Sequence, residues 1–467
     1  MPYTKYFRIT FMAQLGDAVT RYHKLFEQDE YRNPVWAEQL QEHMRQLHLT
    51  ESGRILTPVL RPHFISRRQL DMLARTTAHL AEILDRMEAI VFASPPLLNR
   101  LQMLPAEKML AAVPCGYSRF NVAASMDVGM GGSNVKNGSL ILQGLDACKP
   151  SGLAYANLLA DLFLELPIVK EFKRNRYKLS KLGGTKALLQ AIQAAWREFN
   201  HDRTKPTIAI VEMGQEPGAA LSEGHLIAEF LSQQGATVRL VPPERLQYSA
   251  GKLHSGEFPI DVVFRRVLTR ELLTRFELSH PLLEAYRNQS VCMINSFRSE
   301  FAQRRSLFDL LTDETVTAGL PTADRKLIRT DVPWTRIVNA RKTKHFEESI
   351  DLPEFILRHR EKLTLLPMED GMDQRIYIGE GMTPSAWDRA VRQALRTPYV
   401  VQERPAADTE TFPAFQYGEL KMKIAEVTVH PHIFNGQMND ASAILHSCAE
   451  GSAAQLAVAP VLLLEEV

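Results

Sequence analysis

Cysteine is scarce in this 467-residue chain: Cys115, Cys148, Cys292 and Cys448 are its only four. They are widely scattered and none stands at C-x-x-C spacing, so they read as isolated buried thiols in a reducing cytoplasm. An excess of either charge is missing too. The chain has 55 Lys and Arg against 54 Asp and Glu, a net charge of +1. That balance gives no field to steer nucleic acid or an anionic membrane, and neither is an expected partner. Long hydrophobic runs are also absent. The apolar stretch Leu456 to Leu464 is too short to span a bilayer and contains Pro460. Met1 to Ala13 mixes Tyr3, Lys5, Tyr6 and Arg8 and lacks the apolar core of a secretory signal. What remains is a 45% hydrophobic, 23% charged chain, expected to be cytoplasmic and long enough for several domains.

The first hundred residues read as helical. Ser66 is a suitable N-cap, and Leu70, Leu73, Thr77, Leu80, Leu84, Met87 and Val91 recur at three-four spacing. So short a stripe is expected to pack on its own protein rather than dimerise. From Tyr117 the texture changes. Ser118 to Ser125 alternates like a strand, and Asn137-Gly138 signals a turn into Ser139-Leu-Ile-Leu142, which predicts a hairpin. The glycines between, Gly129, Gly131 and Gly132, lack the third glycine of a dinucleotide fingerprint, since Asn134 stands there. Ser151 is expected to cap a helix running to about Leu166 and stopped by Pro167. Strand Thr207 to Met213, a helix from Ser222 to Gln234, and strands 236–241 and 260–264 predict a parallel, Rossmann-like layer. A last unit from about Phe301 holds a helix opened by Thr383-Pro384 and the strand Tyr399-Val-Val-Gln-Glu403.

Several segments, in order, carry a resemblance. They are Gln143-Gly-Leu-Asp-Ala-Cys-Lys-Pro-Ser-Gly-Leu-Ala-Tyr155, the 253–267 segment ending in Phe264-Arg-Arg-Val267, Val291-Cys-Met-Ile-Asn-Ser-Phe297 and Leu307-Phe-Asp-Leu-Leu-Thr-Asp313. Pro333-Trp-Thr-Arg336, Trp387 and Tyr399 to Arg404 complete the line. In this order, over roughly residues 115 to 467, the chain resembles the circularly permuted ATP-grasp family, which includes glutathionylspermidine-synthase-like carboxylate-amine ligases. The resemblance implies an α/β (α+β) ATP-grasp fold, circularly permuted. It implies a helical N-terminal region (1–114), a permuted part of the ATP-grasp unit (115–202), a Rossmann-like pre-ATP-grasp domain (203–300) and the ATP-grasp domain proper (301–467).

It also implies chemistry. A lysine and a glycine-rich turn hold the ATP phosphates, and carboxylates with an asparagine hold magnesium. An arginine stabilises the transferred phosphoryl group, and an amine attacks the acyl phosphate. Matched to those motifs, this chain departs repeatedly. Leu366 stands for the lysine, and the turn Met368 to Arg375 has one glycine, Gly371, among Glu369, Asp370 and Asp373. Gly144-x-Asp146, with Gln143 beside it, replaces Glu-x-Asn. Glu426 is the carboxylate nearest the C-terminal metal position, and the segment Asn439 to Leu445 lacks the arginine.

The matching positions give catalytic candidates Arg119 and Arg266, with Arg265 beside the latter. They give a degenerate nucleotide site of Arg305, Leu366, Gln402 and Glu403, and a degenerate metal site of Gln143, Asp146 and Glu426. Each loss removes a few kcal/mol of transition-state stabilisation. The expected function is therefore that of an ATP-grasp-fold pseudoenzyme without a cofactor, a binding protein whose partner is a peptide, a carrier or an active paralogue. The alternative is an active ligase using ATP and Mg2+ with relocated groups, Lys362, Gln143, Asp146 and Glu426. A third class, a metal module at His430, His432, His446 and Cys448, rests on His430-x-His432 pointing both imidazoles to one strand face. Because His432 falls where the family has a packed phenylalanine, core and surface histidines are the expected outcome.

Overall fold

A computed structural model describes residues 15–51, 53–130, 140–174, 176–184, 186–201, 204–214, 221–368, 375–406, 408–448 and 455–466. The acidic turn Glu369 to Asp373 and the Asn137-Gly138 turn lie outside the described residues.

The main element is an eight-stranded sheet. Its path runs His63–Ser66, Gln455–Glu466, Gln437–Ser447, Glu419–Phe434, Ala123–Gly129 and Ile141–Asp146. Thr409–Gln416 pairs with the first half of Glu419–Phe434, and Tyr177–Lys181 with the end of Gln455–Glu466. The hairpin expected after Tyr117 is present, but its strands begin later, at Ala123 and Ile141. The helical reading of the first hundred residues is incomplete, because His63–Ser66 pairs in parallel with Val461 to Leu464.

One face of this sheet is apolar. Ala425, Val427 and Val429, with Ala441, Ala443 and Leu445 of the next strand, pack on Leu73, Leu80, Leu84 and Met87. Those side chains are the stripe of helix Arg67–Phe92, which therefore packs on its own chain. The Ser66 cap is a reciprocal box, with Gln69 N–H donating to Ser66 Oγ and Ser66 N–H donating to Gln69 Oε1.

A second sheet has the order Cys292–Ile294, Val262–Arg265, Thr207–Val211, Thr237–Val241, parallel throughout. Apolar side chains cover both of its faces, which explains why these strands lack polar alternation. The preceding helix differs from expectation: it starts at Tyr155 rather than at Ser151, and Pro167 opens a further helix, Pro167–Lys173, instead of only ending one. A third sheet, Thr335–Ile337, Tyr399–Glu403, Leu363–Pro367 and Tyr377–Ile378, is antiparallel. Its Leu363, Leu365 and Val401 side pack on Trp387 of the Thr383-capped helix Pro384–Ala394. Cys115, Cys148 and Cys292 are buried free thiols, whereas Cys448 is exposed, against expectation.

Candidate functional site

The face of the main sheet away from the long helix carries a run of polar groups. Along Glu419–Phe434 the alternation that sends Val427 and Val429 to the core sends Glu426, Thr428, His430 and His432 to this side. Register then builds two adjacent rows across four strands. One is Asp440, His432, Ser125 and Asp146; the other is Ser442, His430, Asp127 and Gly144.

The second row contains the tightest contact. His430 Nδ1 lies 2.7 Å from Asp127 Oδ1. Burial alone would push the imidazole down, but the Asp127 hydrogen bond and charge, with the charge of Asp146, outweigh it and raise His430 above its ordinary value. Burial would raise Asp127, yet His430 holds its carboxyl below the usual range. A Cβ at Gly144 would stand 2.5 Å from Asp127 Oδ2, so this carboxylate fills the space of a side chain at 144. Asp127 was not singled out by sequence. Its only signal is the spacing Ser125-x-Asp127 on a strand whose partner lies 303 residues away.

The first row is less satisfied. Both ring nitrogens of buried His432 and the Ser125 hydroxyl lack a hydrogen-bond partner. Burial first, then the charge of His430, lowers His432 well below its usual value, so it is neutral. Asp146 Oδ1 accepts from the Cys148 and Lys149 N–H groups at 3.1 and 3.0 Å. Burial nonetheless raises its carboxyl.

The other expected metal groups lie further along the same face, around Thr428. Gln143 is close, its Oε1 accepting from Thr428 Oγ at 3.3 Å. Glu426 is six residues from His432 on one strand, about 20 Å at ~3.3 Å per residue. It is held instead by Arg404 Nη2 at 3.2 Å. Among the described residues no group of three His, Cys, Asp or Glu could hold a metal ion, so the histidine-cysteine metal module is not formed there. Of the catalytic candidates, Arg266 lies under the 146–150 loop. It donates to the Pro150 carbonyl at 2.8 Å and to Glu223 at 3.0 Å. Arg265 is wholly buried and bonded to the Asn295 and Val267 carbonyls. Arg119 is elsewhere: it pairs with Asp85 of the long helix at 3.2 Å and lies against Gly436.

Of the nucleotide candidates, Leu366 and Gln402 lie on the side of the third sheet opposite Trp387, whereas Glu403, in register with Leu363, lies on the Trp387 side. Leu366 packs with Ile337, Met368 and Val400. Thr335, Gln402 and Thr364 form one cross-strand row, in which Gln402 Nε2 donates to Thr335 Oγ at 3.0 Å. Glu403 Oε1 is 2.8 Å from His345 Nε2. Arg305 Nη1 donates to the Pro367 carbonyl at 2.8 Å, at the end of the Leu366 strand. A phosphate cradle needs converging N–H groups or an ammonium. The described residues beside Leu366 offer an apolar cluster in that place, so they do not fit a magnesium-bound triphosphate.

No protein-family model and no curated protein matches the sequence. Among solved structures, a glutathione synthetase-like effector from Globodera pallida, in its apo form, aligns with a TM-score of 0.56. The alignment covers 94% of this chain and 95% of that chain, at 12% identity. The chain shares the overall fold of that effector. A gamma-glutamylcysteine synthetase-like protein from Methylobacillus flagellatus aligns at a TM-score of 0.42 and 10% identity, over 84% of this chain and 87% of that one. A RimK-domain ATP-grasp protein from Sphaerobacter thermophilus aligns at 0.29 and 12%, over 54% of this chain and 90% of that one. At such identities the likeness to the effector is one of fold.

Proposed function

We propose that this chain is a circularly permuted ATP-grasp-fold protein that binds a partner and does not turn over ATP. In this reading the parallel sheet of residues 207–294 is the Rossmann-like pre-ATP-grasp domain. Segments 115–202 and 301–467 form the ATP-grasp unit, and 1–114 is an N-terminal region that lends it one strand. The observation that carries the proposal is the side of the Leu363–Pro367 strand that the family turns to nucleotide. There Leu366, Ile337, Met368 and Val400 make an apolar surface where phosphates require cations. The neighbouring polar groups support it, because Gln402, Glu403, Arg305 and Glu426 each have a partner within the protein. A peptide, a carrier or an active paralogue is the proposed kind of partner, and the cytoplasm the proposed location.

The test is calorimetric titration of the full chain with Mg·ATP. The expected result is no saturable binding at physiological, millimolar ATP. A dissociation constant below about 1 mM, worth about −4 kcal/mol, would overturn the proposal. It would favour the second reading, an active carboxylate-amine ligase with relocated groups. That reading has one observation on its side: Asp127, His430 and Asp146 share one face, and the two carboxylates carry charge that acts on the same imidazole.

A further inference from the structure

The apolar face of the main sheet carries a cavity of its own, of about 480 Å³. Its polar wall includes His23, His63, Gln69, Asp408 and Glu410, and its apolar wall includes Val19, Phe64 and Met130. Glu410 pairs in register with Ala425, and Val427 N–H donates to the Asp408 carbonyl. Both acids therefore lie on the Ala425 and Val427 side, with the sheet between them and His430.

The charges in this cavity are unequal. Glu410 is committed: Oε2 is 2.6 Å from Arg61 Nη2 and Oε1 is 3.2 Å from His63 Nδ1. Arg61 is fully buried, its guanidinium 4.1 Å above the Phe412 ring, so its charge is spent on Glu410. Asp408 has no ion-pair partner among the described residues. Burial and then the charge of Glu410 push its carboxyl up, with His63 opposing. One imidazole nitrogen is left over: His23 Nε2 is buried without a partner, whereas His63, 5% exposed, faces Glu410. Burial first, then Arg61, lowers His23 to about 4, so at neutral pH it offers no positive charge.

We infer that this cavity binds a small organic amine, its ammonium against Asp408 and its apolar body along Val19, Phe64 and Met130. An anion would meet Asp408 with no free cation among the described residues. A neutral ligand would cover that half-buried carboxylate without compensating its charge. An ammonium satisfies it and has further N–H donors for a lone pair on His23. The volume is that of an ordinary small-molecule site. This inference is independent of whether the other face binds ATP.

The experiment is calorimetry on the full chain at pH 8, above the ordinary imidazole range, where an alkylammonium remains protonated. Hexylamine, hexanol and hexanoate share one apolar body and differ in charge. Hexylamine is expected to bind at least about tenfold more tightly than either. Asp408→Asn is expected to remove that preference and leave hexanol unchanged. Equal affinity for hexylamine and hexanol, a preference for hexanoate, or no saturable hexylamine binding would overturn the inference. Should Asp408→Asn not fold, Val19→Trp narrows the apolar wall from a half-buried position. Loss of hexylamine binding supports the assignment, and unchanged affinity overturns it.

Discussion

Asp127 holds His430 across two strands, with 2.7 Å between Oδ1 and Nδ1, and its second oxygen fills the space above Gly144. The relation explains a sequence feature that looked like simple loss. A glycine where the resemblance implies a glutamate leaves room, and the neighbouring strand uses that room for a carboxylate bonded to histidine. A glutamate introduced at 144 would meet Asp127 with like charge at close range, so it restores nothing unless that pair is broken.

The pair gives stability a pH window. Asp127 is depressed, so its contribution is present above the ordinary carboxyl value of 3.8 and is lost as pH falls through the depressed one. His430 is raised, so its contribution is full below 6.5 and is lost as pH rises through the raised value. Both act fully between those limits. Asp127→Asn should cost about 2 kcal/mol at pH 5.5 and less at pH 8.5. Urea unfolding at the two pH values measures the difference, and an equal cost at both would contradict the pairing.

His432 should behave oppositely. Its lowered value means the unfolded chain takes up a proton that the folded one refuses, so it costs stability as pH falls below 6.5. His432→Leu removes that cost and two unpartnered ring nitrogens. The variant should be more stable than the parent at pH 5 by about 1 kcal/mol or more, with a smaller gain at pH 8. Midpoints of chemical denaturation decide it, and a gain independent of pH would count against a neutral His432.

Local signals made much of this legible. Ser66 as an N-cap, Thr383 before Pro384 and the buried strands near 207, 237 and 262 are structured as their residues predict. Such features depend on neighbours within a turn or on one strand's own period. What the sequence could not show depends on pairing. His63–Ser66 is four residues long and becomes a strand because the chain's last strand lies beside it. Asp127 becomes part of the site only through a register set some 300 residues later. Glu426 was close to His430 in sequence, but a strand extends about 3.3 Å per residue, and that carries it out of reach of Asp146.

Arg61 and Glu410 give a separate test of the apolar face. Burial would raise Glu410, but His63 and then Arg61 hold its carboxyl far below 4.5, so the stability it brings is present above 4.5 and lost as pH falls through the depressed value. Arg61→Ala leaves a carboxylate two-thirds buried beside Phe412 and Phe64. It should cost about 3 kcal/mol at pH 7. Adding Glu410→Gln should recover part of that loss, and a double-mutant cycle with no coupling would contradict the pairing.

Leu366→Lys bears most directly on function. Leu366 is half-buried and packs at the edge of a small cluster with Ile337, Met368 and Val400, away from the larger core around Trp387. A lysine there can lay its methylenes on the same cluster and carry its ammonium outward. The variant should therefore fold, at a cost of about 1–2 kcal/mol. The substitution also supplies the one cation that the resemblance implies at this position. If that loss alone separates the chain from nucleotide, millimolar Mg·ATP should raise the variant's melting temperature by several degrees. The expected outcome is no shift, because Arg305 is engaged with the Pro367 carbonyl, Gln402 with Thr335 and Glu426 with Arg404. One added charge does not release those three groups. A clear magnesium-dependent rise would mean that the surrounding site is still competent and that a single substitution switched it off.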